Sequence, residues 1–352
     1  MSAHAVTAPT GRVPGPRPVP WRNLAWVTLR QQRGLFTGLG MFLGLFAAYL
    51  VVMAVIQGSA YAAVAACHPA SVVRCQVLRQ SFVSRYWGGD SSVLQSGGAQ
   101  TVSSLMFGVP VLLGAFAGAP LLSRELDSGT FRFAWTQGAG RTRWALSTLL
   151  VPALAATAAT GAFTALFYWY LRPFLALGQV SEMLPLTFAL LGVAFAAWTL
   201  LAYALAAFLG TLLRRTVPAM VITLVVYIVL AMQTATAIRP HYAAPVTVPS
   251  ASAAAASSGW VISMFAKSAT GQELSQQSLF AAFQQQAPAS VQNSGHPGAF
   301  QAWLTQHGYT QWTTLQPDSR FWEFQLIEGA WLTALSAALL GATIWLVRRR
   351  GA

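Results

Sequence analysis

Charge is what this sequence lacks most. Only 8% of its 352 residues are Asp, Glu, Lys or Arg, against 55% hydrophobic residues and a mean hydropathy of +0.53. A soluble domain carries roughly 25% charged residues, so most of this surface faces something other than water. Lysine is nearly absent: 20 of the 21 basic residues are Arg, and Lys267 is the exception. That Lys is followed by Ser268 in AKSATG, with no glycine loop before it. A GxxxxGK[ST] phosphate loop is therefore missing, and the chain is not expected to hydrolyse ATP alone. HExxH, CxxC and GxSxG are missing as well, which removes the usual zinc-protease, redox and serine-hydrolase readings. The five His are scattered outside the long apolar runs, so we expect no catalytic residue, no metal site and no cofactor bound by this chain. The pI near 10.8 does not signal nucleic acid, because the Arg residues sit at the ends of apolar runs rather than along one stripe.

What is present is hydrophobic length. A helix needs about 20 mostly apolar residues to cross a hydrocarbon core of roughly 30 Å. Six segments meet this with no Asp, Glu, Lys or Arg inside them: 35–57, 102–122, 145–169, 184–212, 216–235 and 329–347. Helices are expected, since every backbone amide must find its partner within the segment, and alternating segments of the barrel type are absent. The fold class that follows is an all-α integral membrane protein of six transmembrane helices.

Arginine sets the orientation. With a cytoplasmic N-terminus, the inside segments 1–34, 123–144, 213–215 and 348–352 hold 14 of the 21 basic residues. The positive-inside rule then places both termini in the cytoplasm of a multi-pass plasma-membrane protein. Residues 1–19 read as a disordered cytoplasmic tail, too rich in Pro, Ala and Arg for a secretory signal. Residues 20–33 (PWRNLAWVTLRQQR) read as an amphipathic helix in the inner headgroup layer, with Trp21, Leu24, Val27 and Thr28 on one side. An ordinary juxtamembrane basic stretch fits them too. Residues 20–235 form the first membrane block, and 329–352 the last span and a cytoplasmic C-terminus.

Outside, Cys67 and Cys75 share the loop 58–101, where a disulfide can persist, and we favour a bridge over two free thiols. Residues 236–328, between spans five and six, form a large extracellular loop. Its Ala/Ser/Pro-rich start (244–259) reads as a mobile linker. Amphipathic stretches around Leu274–Phe283 and Phe300–Gly308 suggest a small, mostly helical cap. Its role is open in the sequence. Acidic groups that might couple transport to an ion gradient are scarce: Glu328, at the outer edge of span six, is the one near a span. Energy for any transport must come from elsewhere.

The loop after span two, SRELDSGTFRFAWTQGAGRTRWAL (123–146), is the informative segment. Ser123 suits a cap on one short turn, and Asp127 or Ser128 a cap on a second short helix ended by Gly138 or Gly140. Phe131, Phe133 and Trp135 would be its apolar anchors. From composition alone, a cytoplasmic docking element and a basic loop with interfacial aromatics fit equally. RELDSGTFRFAWTQGAGRTRW resembles the E-x-x-SGT…QG…R-x-xW signature of ABC-2 type transporter permeases, particularly an actinobacterial-looking subgroup. QPDSRFWEFQLIEG (316–329) and the order of parts resemble it too.

The resemblance implies that two permease copies pair and that each contacts a cytoplasmic ATPase subunit, with ATP and Mg bound there. It assigns the loop after span two to ATPase coupling, through Glu125, Asp127, Ser128, Gly129, Thr130, Phe131, Arg132, Phe133, Arg141 and Arg143. The expected activity is ATP-driven export of a hydrophobic or amphipathic substrate such as a lipid, drug or natural product. The alternative is a non-transporting membrane sensor whose cap binds a ligand or partner. Small residues four apart, Gly40 and Gly44 in span one and Gly114 and Gly118 in span two, allow close helix packing, within one subunit or at a dimer seam.

Overall fold

The computed structural model describes residues 20–88, 98–128, 141–249, 259–287 and 299–350. Six helices among them are long and apolar enough to cross a membrane: 36–65, 99–121, 142–176, 192–213, 216–241 and 318–349. The all-α membrane class therefore holds. Short helix α1 (Trp21–Gln31) leads into α2 (Arg33–Ala65), and α3 (Val73–Tyr86) follows at the far end of span one. Span two is α4 (Ala99–Phe107) plus α5 (Val109–Ser128), interrupted at Gly108, and span three is α6 (Arg141–Ala176). Span four is built from α7 (Pro185–Leu190) and α8 (Gly192–Leu213), span five from α9 (Thr216–Gln233), and span six from α12 (Phe321–Arg350).

The core forms around α8, which packs on α5, α6, α9 and α12. Alanine and glycine make this possible. Ala202, Ala204, Ala206 and Ala207 are fully buried, and Ala202, Ala206 and Ala207 lie against the glycines of α5. A Cβ built on Gly118 would stand 2.5 Å from the Tyr203 carbonyl oxygen, and one on Gly210 2.5 Å from that of Ala119. The backbones touch where a side chain would keep them apart. Gly114 packs on the same helix, at Ala202 and Tyr203. Gly40 and Gly44 differ: a Cβ at either would meet nothing within 4 Å, and their helix is largely exposed along its apolar length. The row in span two is intrachain packing, whereas the row in span one packs on nothing among the described residues.

Three expectations need correction. Span four is not one helix over 184–212: it breaks at Leu191, whose extended backbone (φ −104°, ψ 161°) separates α7 from α8. Spans five and six also run further than the apolar stretches, to His241 through a π-helical turn (Thr234–Ile238) and from Asp318 onward. The segment between spans five and six, finally, is not mostly helical among its described residues. It contains a four-stranded antiparallel sheet in the order β1-β4-β2-β3, formed by β1 (Val246–Pro249), β2 (Gly259–Lys267), β3 (Glu273–Ser275) and β4 (Thr310–Pro317). Part of the expected linker, 246–249, is thus an edge strand, and Pro249 is tolerated there because an edge needs no further donor. The rest of that linker, 250–258, lies outside the described residues, as does the tail 1–19. Helices α10 (Gln276–Gln286) and α11 (Ala299–Gln306) pack on the sheet through Leu279, Phe283, Trp303 and Leu304, around buried Ala266.

Candidate functional site

Two places concentrate polar contacts, one at each end of the helix bundle. The first is the end carrying α1. Leu24 and Thr28 of α1 are buried, while Val27, expected beside them, is exposed. Trp21 receives the Arg143 guanidinium over its ring at 5.1 Å, a contact that ties α1 to the start of α6. Nearby, α5 does not stop at Ser123. Its Oγ donates back to the Ala119 carbonyl at 2.7 Å and meets Thr216 Oγ1 at 2.8 Å. A mid-helix Ser bonded in this way is a helix–helix tie and not a cap. The helical backbone continues through Glu125, Asp127 and Ser128, and Arg141 and Arg143 stand at the start of α6. Gly129, Thr130, Phe131, Arg132 and Phe133 lie outside the described residues. Of the sequence-derived coupling residues, Arg143 alone has a described side-chain contact, and it belongs to this face.

The second place, at the sheet end, was not expected. Arg239 and Glu328 are 2% and 0% exposed and form an ion pair at 2.8 Å. The geometry is two-pronged: Arg239 donates from Nε to Glu328 Oε2 at 2.9 Å and from Nη2 to Oε1 at 2.8 Å. Trp198 Nε1 donates to the same carboxylate at 2.8 Å, and the Tyr242 hydroxyl at 3.3 Å. The guanidinium lies 4.4 Å from the Phe188 ring centroid, and its Nη1 donates to the Pro185 carbonyl. Each charge thus has a partner and further hydrogen bonds, the condition under which a buried ion pair can persist in an apolar interior. Burial first, and then the Glu328 charge, push the Tyr242 hydroxyl up to about 12, so it remains a donor at neutral pH.

One turn earlier on α12, Gln325 secures the break in span four. Its Nε2 donates to the Phe188 carbonyl of α7 at 2.9 Å, and its Oε1 accepts from Ala194 N of α8 at 2.7 Å. A helix break leaves carbonyls and amides without intrahelical partners, and this side-chain amide supplies one of each. Gly192 adopts φ +64° at the joint, where a Cβ would fall 2.7 Å from Gln325 Oε1. The apolar stretches 216–235 and 329–347 hold no charged residue, as expected, but the helices extend beyond them. Both members of the pair sit in helix that continues past the purely apolar stretch.

Further out, Ser181 Oγ donates to Asp318 Oδ1, and Met183 N donates to the same oxygen at 3.3 Å. Gln316 Nε2 reaches the Pro240 and Ala243 carbonyls at 3.1 and 2.7 Å. The Gln316 bonds fasten the end of β4 to the end of span five, and the Asp318 bonds fasten the turn after β4 to the connection between α6 and α7. In the connection after span one, Cys67 and Cys75 are joined sulfur to sulfur, with Cα atoms 5.6 Å apart. No group of three or more His, Cys, Asp or Glu that could hold a metal occurs among the described residues.

Comparison with known families gives one result. A family model described as ABC-2 membrane transporter related matches residues 40–239, from span one to the Arg of the buried pair. No curated protein and no solved structure matches the chain.

Proposed function

This chain belongs to the ABC-2 membrane transporter related family, a permease-like membrane component of an ABC transporter, and on that premise we propose that it is the membrane subunit of an ATP-driven exporter. The observation that carries the reading is the family match across five of the six membrane-capable helices. In this reading both termini and the α1 end face the cytoplasm, and the sheet faces outside. A cytoplasmic ATPase subunit binds ATP and Mg and docks on the loop 123–144 beside α1. A second permease copy, with its own ATPase, completes the assembly. ATP-driven closure of the ATPase pair would pull on the α5–α6 connection and alternate the exposure of a cleft between the two permeases. The cargo would be hydrophobic or amphipathic. The contact of Arg143 with Trp21 supports a rigid docking platform, because it ties α1 to the base of span three.

The test is affinity purification of the full chain in mild detergent, with identification of what accompanies it. A co-purifying ATPase with phosphate-loop motifs is the expected result. Its absence, with a kinase or cell-wall enzyme in its place, would favour the membrane-sensor alternative. Interface energy concentrates in a few buried aromatic and charged residues. Phe131→Ala and Glu125→Ala should therefore weaken ATPase association while leaving membrane insertion near normal. Wild-type association and transport in both variants would end the docking-loop reading.

A further inference from the structure

We propose that the groove beside the break in span four binds a hydrophobic organic cation, with its charge facing Glu182. The groove encloses about 530 Å³ between α6, the α7–α8 joint and the start of α12, within the range of small-molecule sites, roughly 300–1,000 Å³. Its origin is structural. The extended backbone at Leu191 separates α7 from α8 where the groove lies, and Gly161 on the facing helix contributes no side chain to fill the gap. A Cβ at Gly161 would meet nothing within 4 Å.

The walls are mostly apolar, with three aromatic side chains: buried Phe321, and Tyr168 and Trp322, which are 45% and 62% exposed. Val193, on a third helix, is 44% exposed. The mouth therefore opens between three of the membrane-capable helices, beside the connection that carries Glu182. A lipid-dissolved molecule reaches it from the side.

Only one lining residue is charged, and it is Glu182. Its Oε1 accepts from the Tyr168 hydroxyl at 3.1 Å. The two ion pairs among the described residues are Arg239–Glu328 and Lys267–Glu273, so Glu182 is in no ion pair among them. Arg172, one turn beyond Tyr168, is exposed; its charge reaches the Tyr168 hydroxyl, but it forms no ion pair with Glu182. Arg79 donates to the Leu177 carbonyl. Asp318 stands near enough to add negative charge, and its own bonds are with Ser181 and Met183 N. Burial first, and then Asp318, raise the Glu182 pKa against the opposing Tyr168 hydrogen bond. An uncompensated carboxylate in such a place is unfavourable. A ligand cation relieves it, and the Tyr168 and Trp322 rings offer π faces to the same charge. Anions meet the opposite field. The inference rests on the permease reading and narrows its cargo class.

Tetraphenylphosphonium and tetraphenylborate separate charge from shape, since they share a skeleton and differ in sign. Equilibrium binding of each is measured on the purified full-length chain in nanodiscs, without any ATPase. Saturable binding of the phosphonium but not of the borate is expected. Glu182→Gln should weaken it about tenfold, as for loss of one close, half-desolvated charge contact. Gly161→Leu should abolish it by filling the groove without disturbing internal packing. Undiminished phosphonium binding in either variant, or saturable borate binding, would overturn the proposal. If Glu182→Gln fails to fold, the borate comparison and Gly161→Leu still decide. Failure here leaves ATPase association untouched, and failure to recruit an ATPase leaves this binding result untouched.

Discussion

At the scale of the residue, the Arg239–Glu328 pair is the most consequential feature. Truncating one member of a buried pair leaves the other charge without compensation, at a cost of about 3–5 kcal/mol. Glu328→Gln should therefore unfold well below the wild type when Trp fluorescence of the purified protein is followed on heating. The double variant Arg239→Met/Glu328→Met, which removes both charges, should recover much of the loss. Equal melting of Glu328→Gln and wild type would mean that the pair is not buried as described. Hydropathy could not have exposed this pair. Arg239 and Glu328 lie 89 positions apart, and a search for charge-free stretches ends at each of them as though it were a loop charge. The disulfide was easier to anticipate, because two Cys close in sequence on an exposed loop leave few alternatives. Mass spectrometry of the non-reduced protein should find one intrachain bridge between Cys67 and Cys75, whereas two alkylatable thiols would contradict it.

At the scale of the element, the spans could be read because lipid demands unbroken apolar length, and that demand is written in composition. The break in span four could not. Leu191 and Gly192 sit inside an apolar run, and what stabilises their break is Gln325, on another helix. Gly192→Ala should destabilise the protein by roughly 1–3 kcal/mol, from its positive φ and from contact with a Gln325 side chain pinned at both ends. Ala at Gly161, where a Cβ has open space, is the matched control in the same thermal assay, and equal effects would argue against the joint. Gly210→Val should be costly for a different reason, because the Ala119 backbone stands where the new side chain must go. β1 was missed because the Ala/Ser-rich composition of 244–259 reads as a linker, and β3 because Leu274 groups with the amphipathic stretch to Phe283. Yet TQWTTLQP, the sequence of β4, is rich in the Thr and aromatic residues that favour strands, and it was the signal available.

At the scale of the whole molecule, the family signature was legible in the loop 123–146, although half of that loop, 129–140, lies outside the described residues and its docking role awaits the ATPase test. Orientation can be checked independently. A Cys at Thr270, exposed in the turn between β2 and β3, should react with an impermeant maleimide in intact cells, and one at Asn23 on α1 should not. Labelling at Asn23 would invert the topology. The connection between sheet and membrane also has a mechanical meaning. β4 ends at Pro317 and α12 begins at Phe321, with a single 3₁₀ turn (Asp318–Arg320) between them. Such a joint has no slack, and Asp318 and Gln316 brace it on both sides. The sheet is therefore a handle on span six. An antibody fragment that grips it from outside would hold α12 still, and through Gln325 and Glu328 would also hold spans four and five, so movement of the bundle could be arrested without anything entering the membrane.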